Sequence, residues 1–425
     1  MESRLFKENK DMIIKDATMC DYRGSKKGCL KVENGIIAEV AQNLSDIKDY
    51  QAHDIYDANG KLLMPALIDI GVYPKAKTLS RKNLTSLSQK ALAGGFSTLL
   101  LLPQSTPAID SEAIVELVKS LDSSTQVHFI PSIKPTITQN ATSVKLSDIS
   151  RLYDNGARCI YTNSDISGNM LVRIAQYAKM LQTPVICLPQ EDSLSQGVLF
   201  EGEFAGRLGL PMISYKSQNS EVAKICEMFV DCDITVLFNA ICLPRSVDII
   251  QSYKSKGLQA CTQVSLHHLI LDEEVCDDYN TSGKITPPLL AESLRLELLE
   301  NLKAGKIDVL STLQCANFNS QKDQVFELAE FGIDCIGFGF ALAYDKIFKA
   351  HNLSLSTLSN LFSYNPAKIL GLNRGSLEVG VEAEFIIVNE DSYTIIEDSF
   401  SPYNGEKLCS KVEKIYCGGI LHELS

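Results

Sequence analysis

The rhythm of apolar and polar positions changes twice along the chain. Over the first sixty residues, MIIKDATMCD, CLKVENGIIAEV and HDIYDANGKLLM mix aliphatic and β-branched residues with polar ones. Asn34-Gly35 and Asn59-Gly60 fall between apolar runs and signal hairpins. The last fifty residues read alike, in GSLEVG, EAEFIIVNED, SYTIIED and KVEKIYCGGI. Between the two ends, short continuous apolar runs take over, at 67–72, 97–102, 126–130, 157–162, 184–188, 234–238, 258–264 and 307–312. Such runs suit parallel strands covered on both faces. Helical patterns separate them, among them SEAIVELVKSL, NMLVRIAQYAKML and LLAESLRLELLENLKAG. The last has Pro287-Pro288 before its start and Gly305 at its end, which are start and stop signals. Eight strands alternating with helices predict an α/β chain with a (β/α)8 TIM barrel. The expected division is a barrel over 64–372 and a small β-sandwich domain built from both ends, 1–63 and 373–425. A doubly wound sheet is the rival, but no GxGxxG follows the first strand of the central region.

Charge and composition narrow the function classes. Forty Lys+Arg against 52 Asp+Glu leave a net charge of −12. That balance argues against nucleic acid, whose phosphates need clustered cations; the short RGSKK run at 23–27 reads as a solvated loop. No stretch approaches the ~20 apolar residues of a membrane span. The charged start, MESRLFKENKDM, is unlike a signal peptide. Thirteen cysteines without a CxxC fit a reduced compartment. A cytoplasmic protein is expected.

Catalytic groups of such barrels sit at the C-terminal ends of the strands. The first of these ends, in LLMPALIDIGVYPK, resembles the opening strand of the dihydroorotase family of amidohydrolases, roughly PGxIDxHxHxR. Pro65, Ile68 and Asp69 match. Further segments resemble the family in order: AGGFSTLLLLPQSTPAIDS (93–111), GVLFEGEFAGRLGLP (197–211), QVSLHHLIL (263–271), KITPPLL (284–290), NPAKILGL (365–372) and GSLEVGVEAEFIIVNED (375–391).

The resemblance implies reversible ring closure between carbamoyl aspartate and dihydroorotate, with two zinc ions activating a hydroxide and an aspartate after the eighth strand moving the proton. It also implies where those groups should stand, and this chain departs from the pattern at each place. The first-strand metal histidines fall on Gly71 and Tyr73, and the substrate-binding arginine on Lys75. Gln104 stands where an asparagine would meet the substrate carboxylate. The fourth-strand bridging ligand falls on Asn163, with Asp165 two residues on. The strand-five and strand-six histidines fall on Leu188 and Ala240, and the catalytic aspartate on Leu313. Apart from Asp165, these side chains offer zinc no imidazole or carboxylate, and one carboxylate does not hold a binuclear site, so no cofactor is expected although active relatives use zinc.

Six histidines remain. His267 and His268 match a pair that the family retains without using it for metal, and a structural role is expected. His128 lies in a strand and reads as a satisfied core residue, while His53, His351 and His422 read as solvated. Cys242 and Cys315 each lie two residues beyond a lost ligand; buried inert cysteine is the default reading, with a thiol or soft-metal site in the mouth, where period-two geometry could aim both, as the alternative. Lys75 and Gln104 are candidates to attract a small anion together, with a lysine snorkelling from the barrel rim as the equal alternative.

The leading expectation is a catalytically inactive dihydroorotase-like protein of pyrimidine biosynthesis, acting as a structural or regulatory partner of aspartate carbamoyltransferase or associating with itself. The family resemblance implies that partner, because dihydroorotase-like chains, inactive ones included, assemble with the carbamoyltransferase. Two other readings stand beside it: a divergent cyclic amidohydrolase of dihydroorotase, hydantoinase or allantoinase type with rebuilt chemistry, and a sensor of small anionic metabolites.

Overall fold

The computed structural model describes residues 11–122, 125–140, 143–164 and 166–424. Strands β1 (Met12–Asp21), β2 (Gly24–Glu33) and β3 (Ile36–Ala41) form an antiparallel meander. Asn34 and Gly35 make its tight turn, with φ of +52° and +74°.

The second Asn-Gly pair does something else. Strands β4 (Asp54–Asp57) and β5 (Leu62–Pro65) do not pair as a hairpin; both run parallel to β1, one beyond the other. Met12 lies opposite Asp54, and Thr18 opposite Leu62. Asn59 and Gly60 take the same left-handed pair of conformations, φ +50° and +76°. Here they carry the chain past an irregularity in β1 between Ile14 and Ala17, where the Gly60 amide donates to the Asp16 carbonyl (2.7 Å). An Asn-Gly dipeptide sets a local backbone shape but does not choose the partner of the strands beside it.

The eight apolar runs become eight strands: β6 (Leu67–Val72), β7 (Phe96–Leu101), β8 (His128–Pro131), β9 (Ile160–Asn163), β10 (Val185–Leu188), β11 (Val236–Phe238), β12 (Ala260–Ser265) and β13 (Val309–Ser311). Neighbours pair in parallel. A bridge from Ile133 to Ile160 joins β8 to β9, and one from Tyr73 to Cys315 closes the ring just beyond β6 and β13.

Alternate side chains divide two cores. Ile68, Ile70, Leu100, Ile130, Tyr161, Ile186, Leu237 and Val309 form an inner cluster. Leu67, Val72, Leu99, Phe129, Val185, Val236 and Leu310 pack outward in a larger cluster with the helices. Helix Asn365–Leu370 adds Ala367 and Leu370 to the inner cluster, and Asn365 holds the Asp308 carbonyl (2.8 Å) at the N-terminal end of β13. That end of the barrel is therefore plugged, leaving the C-terminal end as its mouth.

Strands β14 (Phe385–Ile395), β15 (Lys407–Cys417) and β16 (Ile420–Glu423) return antiparallel to one another. Phe385 pairs with Pro65, so both ends of the chain share one sheet, in the order β16-β15-β14-β5-β1-β2-β3. Ala66 alone separates β5 from β6, so this sheet passes directly into the barrel. GSLEVG, expected as a strand, is irregular because Gly375 and Gly380 take φ of +89° and +90°. A Cβ at Gly375 would lie 2.4 Å from the Ser363 carbonyl oxygen. The Pro287-Pro288 pair precedes helix Glu292–Lys303 by four residues rather than opening it, because its carbonyls bind His268 instead. All thirteen cysteines are free, and among the described residues no helix is long and apolar enough to cross a membrane.

Candidate functional site at the barrel mouth

Period two along β6 sends Ile68 and Ile70 inward, and a register shift between Ile70 and Val72 then turns Gly71 toward the barrel axis. A Cβ built on Gly71 would lie 3.2 Å from Gln263 Nε2, 3.3 Å from Ser311 Oγ and 3.5 Å from Asn239 Oδ1. Asn239 follows β11, Gln263 lies within β12 and Ser311 ends β13, and the three side chains fill the space beside Gly71. Asn239 donates to the Tyr161 hydroxyl (3.1 Å), and Gln263 donates to the Ile70 carbonyl. Tyr161 stands beside Tyr73. The Tyr73 hydroxyl donates to Gln104 Oε1 (3.0 Å), and Gln104 Nε2 donates to Asn163 Oδ1 (3.1 Å).

Among the described residues, two phenols, four amides and a hydroxyl thus gather around Gly71. Burial pushes both phenols above their ordinary value. None of these groups ionises near neutral pH, so none is poised as a general base.

The nearby carboxylate is engaged elsewhere. Asp69 is fully buried and accepts from Ser311 Oγ (2.6 Å), Thr312 N (2.9 Å) and Thr312 Oγ1 (2.5 Å). It fastens β13 to β6, with burial raising its carboxyl despite these three donors.

The structure brings together some sequence-derived candidates and separates others. Tyr73, Gln104 and Asn163 form one chain of hydrogen bonds. Leu188 packs on the inner cluster. Leu313 packs on the outer cluster instead. Both Ala240 and Leu313 hold left-handed backbone, φ +56° and +45°, which non-glycine residues adopt at a cost. Gln218 stabilises the first of these bends: it donates to the Ala240 carbonyl (3.1 Å) and accepts from the amides of Cys242 and Leu243 (3.2 and 3.1 Å). Lys75 does not join Gln104 in an anion site; its ammonium lies 4.6 Å from the centre of the Phe318 ring, and both ends of the Gln104 amide are already bonded. Cys242 and Cys315 do not converge either. The first contacts Gln218 Oε1 (3.7 Å) within the outer core, and the second contacts the Phe331 carbonyl (3.8 Å). Asp165 lies outside the described residues.

His267 and His268 are fully buried on the short helix Leu266–Ile270. His268 Nδ1 meets Ser265 Oγ (2.7 Å) while its Nε2 meets the carbonyls of Pro287 and Pro288 (3.0 and 3.1 Å). His267 meets the Tyr403 hydroxyl (2.8 Å) and Cys335 Sγ (3.4 Å). Both fasten loops to the barrel rim. Of the others, His53 is not simply solvated, since it pairs with Glu33 (3.4 Å).

Sequence reading missed Tyr161, Gln218, Asn239, Gln263 and Ser311. The signal was available for the strand residues: each is a polar residue within or just past an apolar run, and period two counted from its strand places it inward.

Two lysines stiffen the loop beyond β13. Lys284 Nζ donates to the carbonyls of Phe326, Glu327 and Ala329 (2.6, 3.0 and 2.6 Å). Lys322 Nζ donates to those of Lys284, Glu330 and Gly332 (3.2, 3.3 and 3.0 Å). Burial, with the Lys284 charge beside it, pushes Lys322 down to about 8. The unfolded chain then holds more protons between about pH 8 and 10.5, so this group adds stability as pH rises through that window. Thermal melts should show Lys322→Met losing this increment relative to the parent. Parallel pH profiles for the two proteins would show that Lys322 is not responsible.

No family model matches the chain. Among curated proteins, it is 28% identical over 422 residues to the dihydroorotase of Elusimicrobium minutum, covering 96% of each chain. It is 29% identical over 424 residues to the dihydroorotase of Pediococcus pentosaceus, covering 96% of this chain and 98% of that one. Solved structures with the same fold include the L-hydantoinase (dihydropyrimidinase) from Arthrobacter aurescens, at a TM-score of 0.84 and 18% identity, covering 98% of this chain and 97% of that one. The dihydropyrimidinase from Brevibacillus agri follows at 0.79 and 15%, covering 97% and 94%.

Proposed function

We propose that this chain, a relative of the dihydroorotases along nearly its whole length and folded as a cyclic amidohydrolase, is catalytically inactive and serves as a structural or regulatory partner of aspartate carbamoyltransferase. One observation carries the inactive reading. The space beside Gly71 holds the side chains of Asn239, Gln263 and Ser311, with neutral phenols and amides around them.

Among the described residues, the donor set does not fit zinc. Hydrolysis of a cyclic amide by a zinc pair needs imidazoles and carboxylates about 2 Å from each ion. Gly71, Leu188, Ala240 and Leu313 supply no ligand atom, Tyr73 offers a protonated phenol and Asn163 an amide already bonded to Gln104. Without a metal, water keeps its ordinary pKa, far above neutrality, and no nucleophile of useful strength forms. Asp69 does not substitute as a base, because both its oxygens accept hydrogen bonds from β13 and the residue that follows it.

The partner is supported by the family resemblance. Co-expression with aspartate carbamoyltransferase, followed by size-exclusion chromatography at micromolar concentration, should give one co-eluting complex. Separate elution of the two proteins would remove the partnership and leave the inactive reading to be judged by assay.

A further inference from the structure

At the opposite end of the barrel, three candidate ligands converge that the mouth does not use. His128 opens β8, Glu384 directly precedes β14 and Cys417 closes β15. Chain segments more than 250 residues apart therefore meet here, since His128 and Glu384 are separated by 256 positions. We propose that His128, Glu384 and Cys417 form a zinc site that pins the two-ended sheet to the N-terminal end of the barrel.

The geometry is close to that of a bound ion. One ligand atom from each residue lies within 4.8 Å of the other two. Zinc bonds of about 2.0 Å to nitrogen and oxygen and about 2.3 Å to sulfur put tetrahedral ligand atoms roughly 3.3–3.8 Å apart, so only small side-chain adjustments are needed. His128 Nε2 and Glu384 Oε1 are already 3.0 Å apart. The Gly418 amide holds the same Oε1 (3.2 Å), which fixes the carboxylate.

The contacts with His128 and the Cys417 thiol do not account for both oxygens of Glu384. Glu384 is 6% exposed, and its Oε2 is buried with no hydrogen-bond partner. A buried carboxylate oxygen left bare is costly. The Arg374 charge acts on Glu384, but its guanidinium hydrogen bonds go to Thr98 (2.9 Å) and Glu382. The Cys417 thiol donates to the Gln126 carbonyl oxygen (2.6 Å). A metal ion in place of the thiol proton gives Oε2 a cation.

The mixed set of imidazole, thiolate and carboxylate selects zinc over magnesium or calcium, which prefer oxygen alone. Binding converts the Cys417 thiol to thiolate and releases its proton to solvent, with no redox change. The site lies at the end of the barrel strands that carries stability rather than chemistry, so its role is structural.

The test uses the full chain, stripped with a chelator and titrated with zinc and, separately, with cobalt(II). About one ion per chain should bind, cobalt should give the near-ultraviolet charge-transfer band of a thiolate ligand, and zinc should raise the melting temperature. Cys417→Ser, His128→Ala and the isosteric Glu384→Gln should each weaken binding by more than about 100-fold, and Cys417→Ser should abolish the band. The Glu384→Gln variant keeps the local volume should the others fold poorly. Absence of binding at micromolar free zinc overturns the proposal. So does binding that survives Cys417→Ser and Glu384→Gln; that second outcome would place the ion elsewhere, and loss of it on Tyr73→Phe would count against the inactive mouth instead.

Discussion

Gly71→His, alone or with Tyr73→His, is expected to destabilise the fold by about 3 kcal/mol or more without producing dihydroorotate hydrolysis. Installing a histidine at this position presumes space for its ring. At Gly71 the φ of +141° already disfavours any side chain. A Cβ there meets Gln263, Ser311 and Asn239 at 3.2–3.5 Å, so an imidazole beyond it must displace all three. Gln263 would lose its bond to the Ile70 carbonyl and Asn239 its bond to Tyr161. Tyr73→His removes a further hydrogen bond, to Gln104. Gly71→Ala separates the terms, because it introduces the strain and the contact but not the ring. Chemical denaturation of the three proteins measures the cost. A parent-like midpoint for Gly71→His, or zinc-dependent turnover in the double variant, would show that the mouth still has room for metal.

Acidification should unfold the protein through His267 and His268. Burial, and for His267 the neighbouring His268 charge, holds the pair down to about 3 and about 4. In the unfolded chain both return to about 6.5. Above that pH both are neutral in either state and their contribution is complete. As pH falls from 6.5 toward 4, the unfolded chain takes up protons that the folded chain refuses, and stability is lost. The loss by pH 4 is of order 5 kcal/mol, a large part of the stability of an ordinary domain. Asp69, raised by burial, titrates in the opposite sense, so a variant rather than the raw profile isolates the histidines. His268→Gln, whose amide reaches toward the Pro287 and Pro288 carbonyls, should lower stability at pH 7 while reducing the slope between pH 6.5 and 4 to about half. Equal slopes in parent and variant would contradict the assignment.

Much of the barrel was legible because its strands are continuous apolar runs of strand length, separated by helices with periodic faces. The predicted run at 67–72 matches β6 residue for residue, and the other seven differ only at their ends. Asn59-Gly60 was misread as a hairpin because its local conformation was right and its partner was not; β1 offered β4 and β5 a parallel edge that no local pattern encodes. GSLEVG was misread because two glycines at positive φ override its alternation.

At the mouth, the resemblance pointed to Gly71, Tyr73 and Asn163 but not to the side chains that surround them. Tyr161, Asn239 and Gln263 come from three different strands, and only barrel closure brings them together. The His128–Glu384–Cys417 cluster was hidden for the same reason, with its members spread from the third barrel strand to the last long strand. Lys75 and Gln104 looked like partners through the resemblance alone, whereas Phe318 and the Tyr73–Asn163 pair claim them separately.

The most direct measurement is steady-state hydrolysis of dihydroorotate by the purified chain with zinc added. The account predicts a rate equal to that of buffer and zinc alone, at every protein concentration used. Turnover of about 1 s⁻¹ or faster, proportional to protein, would contradict it.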